Sequence, residues 1–213
     1  MPRRIETLLL PGPAGKLEAL LEEPEHAAAV EAAVVCHPHP QHGGTMHNKV
    51  VYRIARGLRK SGCAVLRFNY RGVNLSEGRY DGGVGETEDA RIALREIERR
   101  YPRMPVLMSG FSFGSRIALR LASQESAIGR VIAAGFPTRV AERQFVYHVT
   151  VPKYFVQSTN DAFGPAADLT EFFQTLPEPK HLDWVPAEDH FFRDALDSFE
   201  DVVERIGRAR GNQ

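Results

Sequence analysis

The pentapeptide Gly110-Phe111-Ser112-Phe113-Gly114 lies between the apolar run PVLM and a stretch, SRIALRLA, whose apolar residues fall at helical spacing. That setting suits a nucleophile. A sharp strand-to-helix turn strains the serine backbone and lifts its hydroxyl off the sheet edge. Side chains two positions to either side would collide with neighbouring backbone, so glycine belongs at both. The helix that follows aims unpartnered N–H groups at a developing anion. In a chain with 18 glycines among 213 residues, composition alone would place such a motif only about 0.06 times.

A serine hydroxyl needs a base, and the base needs an orienting carboxylate. Both occur in the required order, each after a later apolar run. KYFVQS leads into Thr159-Asn160-Asp161, and HLDWV leads through PAED to His190. His190 is expected to take the Ser112 proton and return one to the leaving group. Asp161 is expected to fix the imidazole tautomer and stabilise the imidazolium. Asp183, Glu188 and Asp189 compete for the orienting role. Asp183 lies within an expected strand, and the other two adjoin His190, where a chain neighbour orients an imidazole less easily than a residue from a separate loop. His26, His148 and His181 lie away from the right strand end and are expected in surface or structural roles.

The stretch HPHPQHGGTMH (37–47) carries four histidines. Zinc binding is one chemistry to weigh. On extended backbone His37 and His39 point to opposite sides, and no H-E-x-x-H, C-x-x-C or paired carboxylate accompanies them. No metal is therefore expected. The other chemistry uses the backbone. In this architecture the loop after the strand AAVVC supplies a second oxyanion donor, beside the N–H of the residue after the nucleophile, Phe113. Pro38 and Pro40 have no N–H, which leaves His39 first and Gln41 second. His37 is expected to pack or hydrogen-bond beneath this loop.

To position these residues the chain must alternate strands and helices. Residues 4–10 and 16–23 read as a strand pair across PGPAG, and 32–36 as a short buried strand. Residues 48–60 put Val51, Ile54 and Leu58 at helical spacing, with Gly62 as the stop. CAVLRFNY reads as a strand, followed by the glycine-rich loop RGVNLSEGRYDGGVG and a charged amphipathic helix over 85–100. PVLMSG, RVIAAG, KYFVQS and HLDWV read as further strands, with helices at SRIALRLA, AADLTEFFQTL and near 191–208. Buried runs alternating with helices predict an α/β fold, a mostly parallel sheet with helices on both faces. About fifteen residues (135–149) separate RVIAAG from KYFVQS, too few for a helical cap. An open pocket is expected, suited to small or short-acyl esters, with Gln41, Met46, Phe111, Phe163 and Phe191 as candidate lining.

Composition sets outer bounds. The chain has 27 basic and 27 acidic residues, so no polyanionic partner such as nucleic acid is indicated. Cys36 and Cys63 each adjoin an apolar run and read as buried reduced thiols rather than a disulfide framework. The apolar part of MPRRIETLLLPGPAG is too short for a signal peptide or membrane span. One cytoplasmic domain over residues 1–213 is expected, with its oligomeric state open between monomer and homodimer.

HPHPxxGGTMxNKVV, NYRGVxxSEGxYDGGxGE, GFSFG, a post-strand Asp and DHFF, spread over residues 36–192, together resemble the small lidless α/β-hydrolases described as dienelactone-hydrolase-like. The resemblance implies an α/β-hydrolase fold and a triad of Ser112, Asp161 and His190 acting on carboxylic esters without metal or organic cofactor. The chain departs from dienelactone hydrolases proper in carrying Ser112 where they use cysteine. Gln41, His42, His47 and Asn74 also depart from that pattern, Asn74 standing where glycine is expected. The same triad would serve a thioesterase, lactonase or acyltransferase, and a non-catalytic hydrolase-fold binding protein would share the fold without turnover.

Overall fold

The six-residue, mostly apolar runs become the middle strands of one sheet because a strand buried on both faces carries few polar side chains. A computed structural model describes residues 4–24, 28–139 and 142–209; His26 lies outside these. The strands are β1 (Ile5–Gly12), β2 (Gly15–Glu22), β3 (Glu31–Cys36), β4 (Cys63–Phe68), β5 (Val106–Phe111), β6 (Ile128–Ala134), β7 (Lys153–Ser158) and β8 (Lys180–Val185). Their order is β1-β2-β4-β3-β5-β6-β7-β8. β1–β2 and β2–β4 pair antiparallel, and every other neighbour is parallel.

Alternate residues of the central strands feed two apolar layers. Val34, Leu66 and Met108 face α2 (Val84–Arg100) and α3 (Phe113–Ala122), through Ala93, Leu94, Ile97 and Ile117, and α4 (Ala166–Thr175) joins that layer through Leu169 and Phe172. Val35, Val65, Leu107 and Ile132 face α1 (Lys49–Lys60) and α5 (Leu196–Arg208), through Ile54, Leu58, Phe199 and Val203. Cys36 and Cys63 are buried free thiols on adjacent strands, one in each layer, and burial pushes both up to about 12.

Two features depart from the sequence expectation. The last helix begins at Leu196 rather than near 191, because Phe192 (φ 55°) and Asp194 (φ 59°) take left-handed backbone that a right-handed helix cannot include. Short 3₁₀ turns form at Pro40–His42 and Gln144–His148. Asn74 has φ 49°, so the loop calls for a left-handed residue there, which asparagine tolerates where glycine would be the usual choice. Among the described residues no helix is long and apolar enough to cross a membrane.

β3 and β5 are neighbours, yet β3 connects onward to β4 on one side and β5 to β6 on the other. This is the point where strand order reverses, and a crevice opens there at the carboxyl ends. The His-Pro stretch leaves β3 and the Gly-Phe-Ser-Phe-Gly turn leaves β5, side by side.

Candidate active site

Ser112 stands before the first turn of α3 with φ 56° and ψ −119°, a conformation that costs energy for any residue with a Cβ. The surroundings hold it there. Its N–H donates to the Ala134 carbonyl at 2.9 Å, and its own carbonyl accepts from the Ser115 N–H (2.9 Å) and hydroxyl (2.6 Å). Both flanking glycines are sterically required. A Cβ on Gly110 would lie 2.2 Å from the Gly114 carbonyl oxygen, and one on Gly114 would lie 2.3 Å from that of Cys36 and 2.6 Å from that of His37. Phe113, first in α3, has an N–H with no intrahelical acceptor.

Asp161 follows β7 and His190 follows β8. His190 Nδ1 donates to Asp161 Oδ2 at 2.6 Å, both side chains buried. The other carboxylate oxygen accepts the backbone N–H groups of Phe163 (2.8 Å) and Gly164 (3.0 Å). A fourth donor was not foreseen from the sequence. Gln157 Nε2 reaches Asp161 Oδ2 at 2.9 Å and the Gly164 carbonyl at 3.0 Å, while Gln157 Oε1 accepts the Phe136 N–H at 2.8 Å. The signal was a glutamine inside the apolar run KYFVQS, since a buried amide must find partners. Four N–H groups thus meet the four lone-pair directions of one carboxylate. Replacing Gln157 by leucine should lower kcat roughly tenfold or more by loosening Asp161, and cost about 1–3 kcal/mol in urea unfolding for the stranded polar groups. Unchanged steady-state kinetics would remove Gln157 from this role.

The competing carboxylates are engaged elsewhere. Asp183 pairs with Arg205 at 2.7 Å, and Glu188 and Asp189 both pair with Arg193. Asp189 also accepts the Phe191 and Arg193 N–H groups, shaping the turn that carries His190. His148 and His181 are exposed.

His37 is fully buried. Its Nδ1 donates to the Pro38 carbonyl at 2.6 Å and its Nε2 accepts the Tyr70 N–H at 3.1 Å. Both ring nitrogens are therefore used to tie the His-Pro loop to the loop after β4. Burial drives its pKa down to about 3. Because the folded value lies below the unfolded one, the unfolded chain binds the proton first as pH falls. The stability that neutral His37 confers is complete above about pH 6.5 and is lost progressively toward pH 3. At pH 5 the loss should be about 2 kcal/mol. Urea midpoints at pH 7.5 and 5.0 check this, since the His37→Gln variant should show a smaller acid-induced drop than the parent; equal drops would refute it.

His39 is not a passive carrier of its N–H. Its Nδ1 accepts the Gln41 N–H at 3.2 Å and so caps the 3₁₀ turn, and its ring packs against Tyr80 and Phe113 at 4.9 and 5.0 Å. Gln41 has its N–H committed to that cap. Gly44 closes the loop, with room for no side chain: a Cβ would lie 2.1 Å from the Pro38 carbonyl oxygen.

A cleft of about 580 Å³ gathers Ser112, Phe113, His190, His39, Phe163 and Phe191. Phe163 and Phe191 are 54% and 40% exposed, forming apolar walls at its mouth. Three expected lining residues lie elsewhere. Met46 is 1% exposed because its N–H donates to Asn69 and its carbonyl accepts from Arg67, turning the side chain into the core. Phe111 is fully buried beneath the cleft, its ring 4.8 Å from that of His190, because strand alternation directs it to the α1–α5 layer. Gln41 is exposed outside the lining. His42, Asn48, Arg116 and Pro137 contribute instead. Among the described residues, no group of three or more His, Cys, Asp or Glu is placed to hold a metal ion.

Residues 32–210 match the family model of the alpha/beta hydrolase domain. An uncharacterized protein of Rickettsia prowazekii is 33% identical over 201 residues, covering 90% of this chain and 84% of the relative. An alpha-beta serine hydrolase homologue from Coxiella burnetii superposes with a TM-score of 0.90 at 33% identity, over 94% of this chain and 96% of that one. A serine hydrolase without a lid from Xanthomonas campestris gives 0.87 at 32% identity, over 96% and 94%. With the family match running from β3 to the end of α5, the chain belongs to the alpha/beta hydrolases.

Proposed function

We propose that the protein is a serine hydrolase of small carboxylic esters, with Ser112 as nucleophile, His190 as base and acid, and Asp161 as orienter. The observation that carries this is the Asp161–His190 hydrogen bond behind a cleft that His190 shares with the strained Ser112. The Ser112 Oγ–carbonyl bond forms as its proton passes to His190 Nε2. That proton then goes to the departing alkoxide as the ester C–O bond breaks, and water repeats the sequence on the acyl-enzyme. The N–H groups of Phe113 and His39 face the oxyanion, each worth about 3–4 kcal/mol in the transition state. Gln41 is the weaker candidate for that second donor because its N–H already serves His39.

The segment between β6 and β7 carries one 3₁₀ turn among its described residues, and the apolar walls of Phe163 and Phe191 favour a short acyl chain. Phenyl esters, phenyl thioesters and lactones of matched size test the bond type, and an acyl series from acetate to laurate tests the pocket. The expected result is highest kcat/KM for short-chain oxygen esters. A maximum at laurate would overturn the open-pocket reading, and a maximum on thioesters or lactones would reassign the bond.

A further inference from the structure

We propose that β1 is a dimerisation edge, pairing antiparallel with β1 of a second copy of this chain in a register centred on Thr7. β1 is the outermost strand on its side of the sheet, and two backbone bonds show which of its residues face outward. The Glu23 N–H donates to the Arg4 carbonyl at 3.1 Å, in line with the register that sets Ile5 opposite Glu22. On the other side of β2, the Asn69 N–H donates to the Glu18 carbonyl at 2.8 Å. Odd-numbered residues of that segment therefore bond toward β1 and even-numbered ones toward β4. An antiparallel ladder alternates bonded with unbonded pairs. Glu6, Leu8 and Leu10 thus face β2, while Ile5, Thr7 and Leu9 turn their N–H and C=O groups away from it. Among the described residues no donor or acceptor meets those outward groups. The three side chains share one face, with Ile5 49% and Leu9 55% exposed. The usual guards of a sheet edge are missing here: these positions hold no charge and no proline, and the pairing with β2 runs without a bulge from Ile5 to Gly12.

This edge is complementary to itself. With Thr7 opposite the second copy's Thr7, Ile5 faces Leu9 and Leu9 faces Ile5, so every outward residue forms a pair that exchanges two hydrogen bonds. One face of the joined sheet gains two Ile–Leu contacts flanking a Thr–Thr pair, neighbours that stabilise an antiparallel ladder. On the other face Glu6 meets Leu8, and its carboxylate is already held by Arg100 at 2.6 and 2.9 Å. No like charges are opposed across the axis. Other registers lose bonds. Sliding the copy two residues one way sets Ile5 against Pro11, which has no N–H. Sliding it the other way leaves Leu9 beyond the start of the partner strand. The two-fold axis at Thr7 makes the contact isologous and closed. Among the described residues none from β1 or β2 lines the cleft, so the contact lies outside the Ser112 site.

Sedimentation equilibrium from about 1 to about 100 μM chain tests this. The parent should move toward twice the mass of one chain as concentration rises. Thr7→Pro removes the central outward N–H without touching a bond to β2, and Leu9→Lys sets a charge opposite Ile5. Each should raise the dissociation constant roughly 100-fold or more, with an unchanged circular dichroism spectrum. Leu9→Lys alters only an exposed side chain and keeps the test alive if the proline variant fails to fold. Single cysteines read the register. Two Thr7→Cys chains meet at the axis within disulfide reach and should cross-link on mild oxidation. Two Leu9→Cys chains lie roughly 13 Å apart along the strands and should not. Cys36 and Cys63 are buried and do not compete. Three results would each overturn the proposal: a parent that stays monomeric at the highest concentration, a dimer indifferent to Leu9→Lys, or cross-linking of Leu9→Cys in preference to Thr7→Cys.

Discussion

Ser112→Ala should lose roughly 10⁶-fold in kcat on short-chain phenyl esters, with its unfolding midpoint close to that of the parent. The two expectations have separate causes. Turnover goes because, among the described residues, Ser112 carries the only hydroxyl lining the cleft that His190 shares. Stability stays because alanine keeps the Cβ, so the cost of φ 56° is common to both proteins. The companion Ser112→Gly removes that cost, about 1–3 kcal/mol, and gives back about 0.4–1 kcal/mol through glycine's greater unfolded-state freedom, so it should unfold less easily than Ser112→Ala. Retention of more than about a thousandth of parental activity in Ser112→Ala, with contamination excluded by active-site titration, would transfer the nucleophile's role elsewhere.

Asp161→Asn should cost about 10⁴-fold in kcat, and the surrounding donors explain why the amide cannot adapt. One side of the carboxylate accepts two backbone N–H groups, from Phe163 and Gly164. The asparagine oxygen must therefore turn to that side. Its NH₂ then faces His190 Nδ1 and Gln157 Nε2, two groups that now donate. Gln157 cannot invert to help, because its Oε1 holds the Phe136 N–H. His190 is left to carry its proton on Nε2, the nitrogen that must accept from Ser112. The variant should also unfold about 1–3 kcal/mol more easily, from the opposed donors. A loss in kcat smaller than tenfold would mean that another carboxylate orients the histidine.

Much of this was legible from residue order because strand ends announce themselves. Ser112, Asp161 and His190 each follow an apolar run, and the requirement for glycine at 110 and 114 is a matter of Cβ volume that holds in any such turn. What escaped was facing. Phe111 and Met46 flank motif residues in the chain, but a strand buried on both sides carries no polar alternation to tell cleft from core. Met46 was settled by backbone hydrogen bonds to Arg67 and Asn69, groups more than twenty residues away. Asp161's partner Gln157 was visible as a polar intrusion in KYFVQS, but only the folded loop around Phe136 and Gly164 shows what it holds. The late start of α5 turned on two left-handed residues that no periodicity encodes.

The absence of a side chain at Gly114 has a mechanical consequence. Its Cα rests directly on the carbonyl oxygens of Cys36 and His37, so the end of β3 and the head of α3 touch backbone to backbone. The gap between the Phe113 and His39 N–H groups is metered by that contact, as a shim of fixed thickness sets the spacing of two plates.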